Sequence, residues 1–455
     1  MGRELERLLE EHAAAVATRR VVIASGLIPQ LPTLLREAFP GQKAFLLVAD
    51  RNTWEAAGRG AADVLTAAGF SLDSLILEPR AGESKVHPGE DRVEQVASRL
   101  QATTHLALGV GAGTINDLVK AASSRVGRPC AVIATAPSMN GYTSGIAAIV
   151  IGGLKQTLPV RGAVLVVADT DVLCQAPAEM IGAGFADMMA KWVASADWRL
   201  AERLLGGGYD ARVEQVSRVA IDLLEGREEA IALGRAAAIE NLIEALCVSG
   251  LSMAVASSSA HISGAEHLFA HYIEMMMPKI LDRELHGRQV GIGTLCSAAL
   301  YEQLLGWSPE RLDVEARVAA QLPWKTRRGQ IERHFTTLAP VVTEQAQQLY
   351  VEGEELRVRL KRLAAEWPAL RTEVAGAVAP RATIEDRLRK AGAPIHFAQL
   401  GITPSEMREI LLWAADIRAR YTVLHLAADL GCLGDWTDRA IAAFGERPAG
   451  GGSSA

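Results

Sequence analysis

The sequence is poor in cysteine, in net charge and in unbroken apolar runs, and each shortage closes a class of function. Its five cysteines (Cys130, Cys174, Cys247, Cys296 and Cys432) are odd in number, scattered, and form no C-x-x-C pair. A disulfide-stapled module is excluded, and reduced thiols in a cytoplasmic protein are expected. Lys and Arg together number 47 against 53 Asp and Glu, a formal charge of −6. There is no electrostatic footprint for a nucleic acid or an anionic membrane, so any phosphate must be held locally. The opening MGRELERLLEEHAAAVATRR lacks the apolar centre of a signal peptide and reads as an amphipathic helix. The most apolar stretch, Ala131 to Gly153, is broken by Pro137, Asn140 and glycines, a pattern of strand and loop that no membrane span would carry. Internal repeats, G-x-G-x-x-G and G-x-x-x-x-G-K-[ST] are all missing. What remains is 455 residues, 49% hydrophobic and 22% charged, an ordinary globular composition long enough for more than one domain.

From about residue 20 to 170, the apolar runs VVIASG, AFLLVAD, LDSLILE, LALGVG and CAVIATA alternate with amphipathic segments, the pattern of buried parallel strands joined by crossover helices. Two later runs, Ala147 to Gly152 and Ala163 to Val167, suggest a hairpin or an added strand pair. After Asp169-Thr170-Asp171 the strand-like runs give way to Ala/Leu/Glu/Arg segments with helical spacing. The expected architecture is therefore an α/β, doubly wound (Rossmann-like) nucleotide-binding domain over 1–172. An all-α metal and substrate domain over 173–445 and a flexible tail over 446–455 would follow, with a ligand cleft between the halves. Thr403-Pro404-Ser405-Glu406 combines a cap hydroxyl, Pro at the first helical position and a carboxylate three residues past the cap, so a helix should start there.

Gly109 to Ala122, GVGAGTINDLVKAA, follows a strand and opens a helix. Glycines 109, 111 and 113 would let the backbone turn tightly and approach an anion, while free amides at the helix start attract a pyrophosphate. A structural turn and a phosphate cradle both fit. Asp50 closes AFLLVAD, where a carboxylate can accept from a ribose and repel a 2′-phosphate, which favours NADH. ATAPSMNGYTS, Ala134 to Ser144, crowds the end of the next strand, the edge where doubly wound sheets bind ligands.

In the helical half, polar groups interrupt apolar segments. Asp187 precedes Lys191 by four residues among Phe185, Met188, Met189 and Trp192, surroundings that imply burial, where a carboxylate needs a cation or strong donors. His267 and His271 are another i, i+4 pair, and His286 opens HGRQVGIGT. One Asp and two His would leave a divalent ion an open position for substrate.

The ordered set GAGTI, TAPSMNGYTS, GFADMMAKW, SGAEHLFAH and HGRQVGIGT resembles the sn-glycerol-1-phosphate dehydrogenase family. That family sits in the wider group with 3-dehydroquinate synthase, glycerol dehydrogenase and the iron-containing alcohol dehydrogenases. The resemblance implies that Gly111, Ala112, Gly113, Thr114 and Ile115 form the cofactor pyrophosphate loop, with further cofactor contacts from Thr135, Ala136, Pro137, Ser138 and Ser144. It makes Asp187, His267 and His286 metal ligands, and Asn140, Asp187 and His271 substrate contacts. The implied reaction is reversible hydride transfer between NAD(H) or NADP(H) and dihydroxyacetone phosphate, giving sn-glycerol 1-phosphate. His271 would be the proton donor because imidazole titrates near neutral pH, and Lys191 would orient the metal's water or anchor the anionic substrate. Asn140 stands where the family usually has Asp. Lys191 stands where four-ligand iron enzymes carry a third His, which favours zinc, then nickel, over Fe(II). Arg283 and Arg288, near His286, are candidates for holding the substrate phosphate. The alternatives are a glycerol or other polyol dehydrogenase, a 3-dehydroquinate-synthase-like cyclase, and a nucleotide-binding scaffold without catalysis. A homo-oligomer is expected, and the segment after about 310 has no assigned role.

Overall fold

The computed structural model describes residues 3–152, 154–206, 208–256 and 258–445; the tail expected from 446 lies outside them. Six strands, β1 (Arg20–Ala24), β2 (Ala44–Asp50), β3 (Ser71–Leu77), β4 (Leu106–Gly111), β5 (Cys130–Ala134) and β8 (Leu165–Asp169), form one parallel sheet in the order β1-β8-β5-β4-β2-β3. Both faces are covered over β2, β4, β5 and β8, which is why these strands read as near-continuous apolar runs, while the edge strand β3 stays partly exposed. On β2, Phe45, Leu47 and Ala49 face one core while Leu46 and Val48 face the other. The chain leaves β2 toward β3 in one direction and resumes at β4 in the other. The carboxyl ends of β2 and β4 thus flank a topological switch point, where doubly wound sheets bind ligands.

The hairpin differs from the sequence expectation. β6 (Ile146–Ile151) pairs antiparallel with β7 (Leu154–Pro159), so Lys155 and Gln156 are strand residues, while the 163–167 run enters the main sheet as β8. The reason is burial: β8 is covered on both sides, whereas β7 carries the consecutive polar residues Lys155, Gln156 and Thr157, which suit only a small, partly exposed ribbon. Beyond Asp169 the described residues form helices and turns without strands. The domain boundary expected at 172 falls inside the one-turn helix Thr170–Leu173. The N-terminal helix Arg3–Glu11 packs on the helical half, with Leu5 and Leu8 buried against helix Ala236–Ala256.

Six helices position the site: α1 (Gly113–Arg125), α2 (Ala178–Met189), α3 (Lys191–Leu205), α4 (Ala236–Ala256), α5 (Ala265–Met276) and α6 (His286–Leu305). Helix α4 is long and apolar enough to cross a membrane, yet 78% of its most apolar window is buried in the protein, so it serves as a core helix. The helix expected at Thr403 runs Pro404–Trp413 and carries the full capping box with Glu406. The chain after 310 folds back onto the site, since the turn Ala414–Ile417 packs on α5. All five cysteines are unpaired.

Candidate active site

The glycine turn sits at the carboxyl end of β4, where α1 begins without a side-chain cap. Its first amides are therefore available to an anion. A Cβ on Gly111 would meet Ile115 at 2.6 Å, so the turn closes this tightly only with glycine there. The backbone and bare helix start suit a pyrophosphate. Asp50 accepts from the Thr53 amide at 2.8 Å and caps the helical turn after β2; that bond occupies Oδ1.

The loop after β5 is fixed from below by Lys120 of α1. Its buried ammonium donates to the carbonyls of Gly141 and Ile146 at 2.7 Å and to Ser144 Oγ at 3.0 Å. Ser144 is fully buried in this network, so its hydroxyl braces the loop and faces no cleft. Thr135, Ala136 and Ser138 lie buried at the end of β5, with Tyr142 donating to the Ala136 carbonyl at 2.7 Å. Asn140 sits at the loop's far end, its backbone N–H donating to Asp187 Oδ2 at 3.2 Å and its side chain 3.4 Å from Ser249 Oγ.

Three helices then bring one acid and three imidazoles together. Asp187, on α2, is almost fully buried, and its Oδ1 has no hydrogen-bond partner among the described residues. His267 Nε2 stands 3.5 Å from that oxygen, longer than an ordinary hydrogen bond. The rings of His267 and His286 are 5.3 Å apart and those of His271 and His286 5.7 Å. Each imidazole gives its Nδ1 to a carboxylate: His267 to Glu266 at 2.8 Å, His271 and His286 to the two oxygens of Glu274 at 2.9 Å each. This fixes the tautomers that leave Nε2 as a lone pair, the usual outer support of a metal-binding imidazole. Donor atoms of Asp187, His267 and His286 lie within 4.8 Å of one another, and so do those of His271, Glu274 and His286. The first set suits a divalent cation, because it holds an orphaned buried carboxylate oxygen. In the second, both Glu274 oxygens are already engaged by Nδ1 groups, and one also by Lys155 at 2.7 Å.

Charge agrees with the geometry. Burial would raise the Asp187 carboxyl, but Lys191, His267 and His286 outweigh it and hold it below its ordinary range. For Glu274 burial is likewise overcome by Lys155 and the two imidazoles. Burial pushes the His271 imidazole down to about 3, only partly offset by Glu274. Near neutral pH it is the neutral imidazole, a proton acceptor at Nε2. Lys191 opens α3 just past the break at Ala190, and its buried ammonium donates to the Asp187 carbonyl at 2.9 Å, not to the carboxylate. Arg283 donates to the Leu400 carbonyl at 3.2 Å, and Arg288 pairs with Glu284 at 2.8 Å; both are engaged within their own surroundings. Sequence reasoning passed over Glu274, Glu266, Lys155 and Lys120. Only Glu274 left a signal, an acid three residues past His271 on the same helix face.

Residues 22–177 match the family model for iron-containing alcohol dehydrogenase. The glycerol-1-phosphate dehydrogenase [NAD(P)+] of Bacillus licheniformis is 28% identical over 423 residues, 92% of this chain and 90% of that protein. That of Geobacillus thermodenitrificans is 33% identical over 294 residues, 64% of this chain and 72% of that protein. The chain belongs to the glycerol-1-phosphate dehydrogenase family. Among solved structures, a probable glycerol dehydrogenase from Sinorhizobium meliloti shares the fold with a TM-score of 0.61 at 18% identity, over 92% of this chain and 97% of that one. The chain thus combines a glycine turn at the carboxyl edge of its sheet with a donor set, Asp187, His267 and His286, that could hold a metal ion.

Proposed function

We propose that this chain is a cytoplasmic, NAD(P)-linked dehydrogenase that reduces dihydroxyacetone phosphate to sn-glycerol 1-phosphate and runs the reverse oxidation. The observation that carries the reading is the orphaned, buried Asp187 Oδ1, 3.5 Å from His267 Nε2, in a donor set completed by His286. A divalent cation bound there, zinc or nickel ahead of Fe(II), would supply Lewis-acid polarisation of the ketone oxygen. The chain's own groups do the rest. The glycine turn and the bare start of α1 hold the pyrophosphate, and the loop from Thr135 to Ser138 borders the nicotinamide half. Asn140, tied through its backbone to Asp187, offers an amide to a substrate hydroxyl where a carboxylate would repel an anion. His271, neutral and oriented by Glu274, takes the hydroxyl proton at Nε2 during alcohol oxidation and returns it during ketone reduction. Lys191 holds the carbonyl of Asp187 and so fixes the end of α2.

The test combines elemental analysis with NADH and NADPH oxidation on dihydroxyacetone phosphate and dihydroxyacetone. Chelation should abolish turnover, restored by the divalent ion, and His267→Ala should lose metal and activity together. Full activity in the chelated protein would refute the reading, as would turnover without net change in nicotinamide absorbance, the signature of a cyclase.

A further inference from the structure

The loop after β5 changes character at one residue. Thr135 to Ser138 are buried, whereas Met139, Asn140 and Gly141 are half-exposed. The glycine turn opens in the same way: Gly111 and Ile115 are buried, and Ala112, Gly113 and Thr114 between them are half-exposed. The two open strips touch. A Cβ on Gly113 would stand 3.1 Å from Met139 Cγ and 3.8 Å from both its Cε and its Sδ, so the methionine side chain lies against the first residue of α1. Asn116, one turn further along α1, donates to the Gly141 carbonyl at 3.2 Å, and the Gly141 N–H closes back onto the Met139 sulfur. These contacts hold the thioether at the helix start.

The other end of the same residue reaches the cation site. The peptide N–H that follows Met139, that of Asn140, donates to Asp187 Oδ2 at 3.2 Å. One residue, at most about 3.6 Å of chain, therefore separates the contact with the glycine turn from the contact with the carboxylate of the donor set. A dinucleotide whose pyrophosphate rests on the start of α1 has to carry its nicotinamide toward Asp187 for a hydride to reach a ketone there. The half-exposed surface along that path is Met139. Ligand sites are walled largely by apolar side chains, and an unbranched, polarisable thioether both fills an irregular gap and packs well on an aromatic ring.

We propose that Met139 is a cofactor-contacting residue, its thioether packing on the nicotinamide riboside between the glycine turn and the cation site. The proposal rests on the dehydrogenase reading above and deepens it, because it names the side chain that lines the route from the pyrophosphate to the metal donors.

The experiment uses the full-length, metal-loaded protein as wild type, Met139→Ala and Met139→Leu. NADH binding is followed by fluorescence titration and ADP binding by calorimetry, since ADP offers a pyrophosphate without a nicotinamide riboside. Met139→Ala should weaken NADH about 3- to 10-fold, the loss expected of one thioether–ring contact, and leave ADP within about 2-fold. Met139→Leu, which conserves volume and apolarity, should bind NADH within about 2-fold of wild type. Thermal melts and competition against a chromogenic chelator accompany the titrations. NADH affinity unchanged in Met139→Ala overturns the proposal. So does an equal loss for NADH and ADP, which would mean that the methionine only shapes the turn, and so does a matching loss of metal affinity, which would mark a displaced loop. Turnover on dihydroxyacetone phosphate and dihydroxyacetone separates this contact from the functional reading. If the wild type reduces neither ketone yet shows the expected NADH pattern, the reading fails and the contact stands. If it reduces dihydroxyacetone phosphate while all three proteins bind NADH alike, the contact fails and the reading stands.

Discussion

Glu274 carries more of the site than its position in the sequence advertises. Its side chain is 3% exposed, and its two oxygens accept from His271, His286 and Lys155. One carboxylate thereby fixes two imidazole tautomers and ties the β6-β7 ribbon to the floor of the cleft. Glu274→Gln keeps the shape but replaces an acceptor oxygen with an amide donor, which confronts either an imidazole N–H or the lysine. Metal affinity should drop about 10- to 100-fold, the usual loss when an outer partner of a ligating histidine is removed. Competition against a chromogenic chelator reads this without turnover. Affinity equal to wild type would show that the histidines hold their orientation without it.

At the scale of elements, the site exists because backbones approach at glycine. A Cβ on Gly184 of α2 would fall 1.8 Å from the Pro137 carbonyl oxygen, and one on Gly287 of α6 2.1 Å from the carbonyl oxygen of Ala183. The loop after β5, α2 and α6 are thus stacked in backbone contact, which puts Asp187 and His286 within reach of one another. Gly184→Ala must drive α2 off the loop. A loss of about 2–3 kcal/mol in stability is expected from overpacking, together with weaker NADH binding, since Thr135 to Ser138 sit on the displaced loop. Thermal melts and NADH fluorescence titration check both; unchanged values would mean the loop gives way freely. The same stacking explains what was legible beforehand. The inner strands β2, β4, β5 and β8, buried on both faces, print themselves as apolar runs, and His267, His271 and His286 announce themselves by helical spacing and by opening a helix. The partner of β6 was misread because LKQTLP is a half-polar ribbon strand while the 163–167 run is apolar. The charge state of His271 was not legible, because the burial that pushes its pKa down leaves no mark in sequence.

Over the whole molecule, the C-terminal segment holds buried acids, one of them in the turn that packs on α5, and pH reports on them. Asp416, in the turn that packs on α5, is pushed up to about 6 by burial, against the pull of its ion pair with Arg327, whose guanidinium lies 4.5 Å from the Trp413 ring. Asp429, paired with Arg359 and bonded to Tyr421, is likewise raised by burial. A carboxyl whose folded pKa exceeds its unfolded value of about 3.8 binds its proton more tightly when folded. Its stabilising contribution is therefore complete below about pH 4, is lost as pH climbs through about 6, and changes no further above that. For Asp416 the loss is on the order of 1–3 kcal/mol, and Asp429 adds to it in the same sense. Melting temperature should thus carry a component that falls between about pH 4 and pH 7. Asp416→Asn, which cannot titrate, should show a flatter fall across that window, whatever the offset from disturbing Arg327. Curves for wild type and variant that stay parallel from acid to neutral pH would mean that Asp416 is ionised throughout, and that the turn Ala414–Ile417 rests on α5 without a titrating acid.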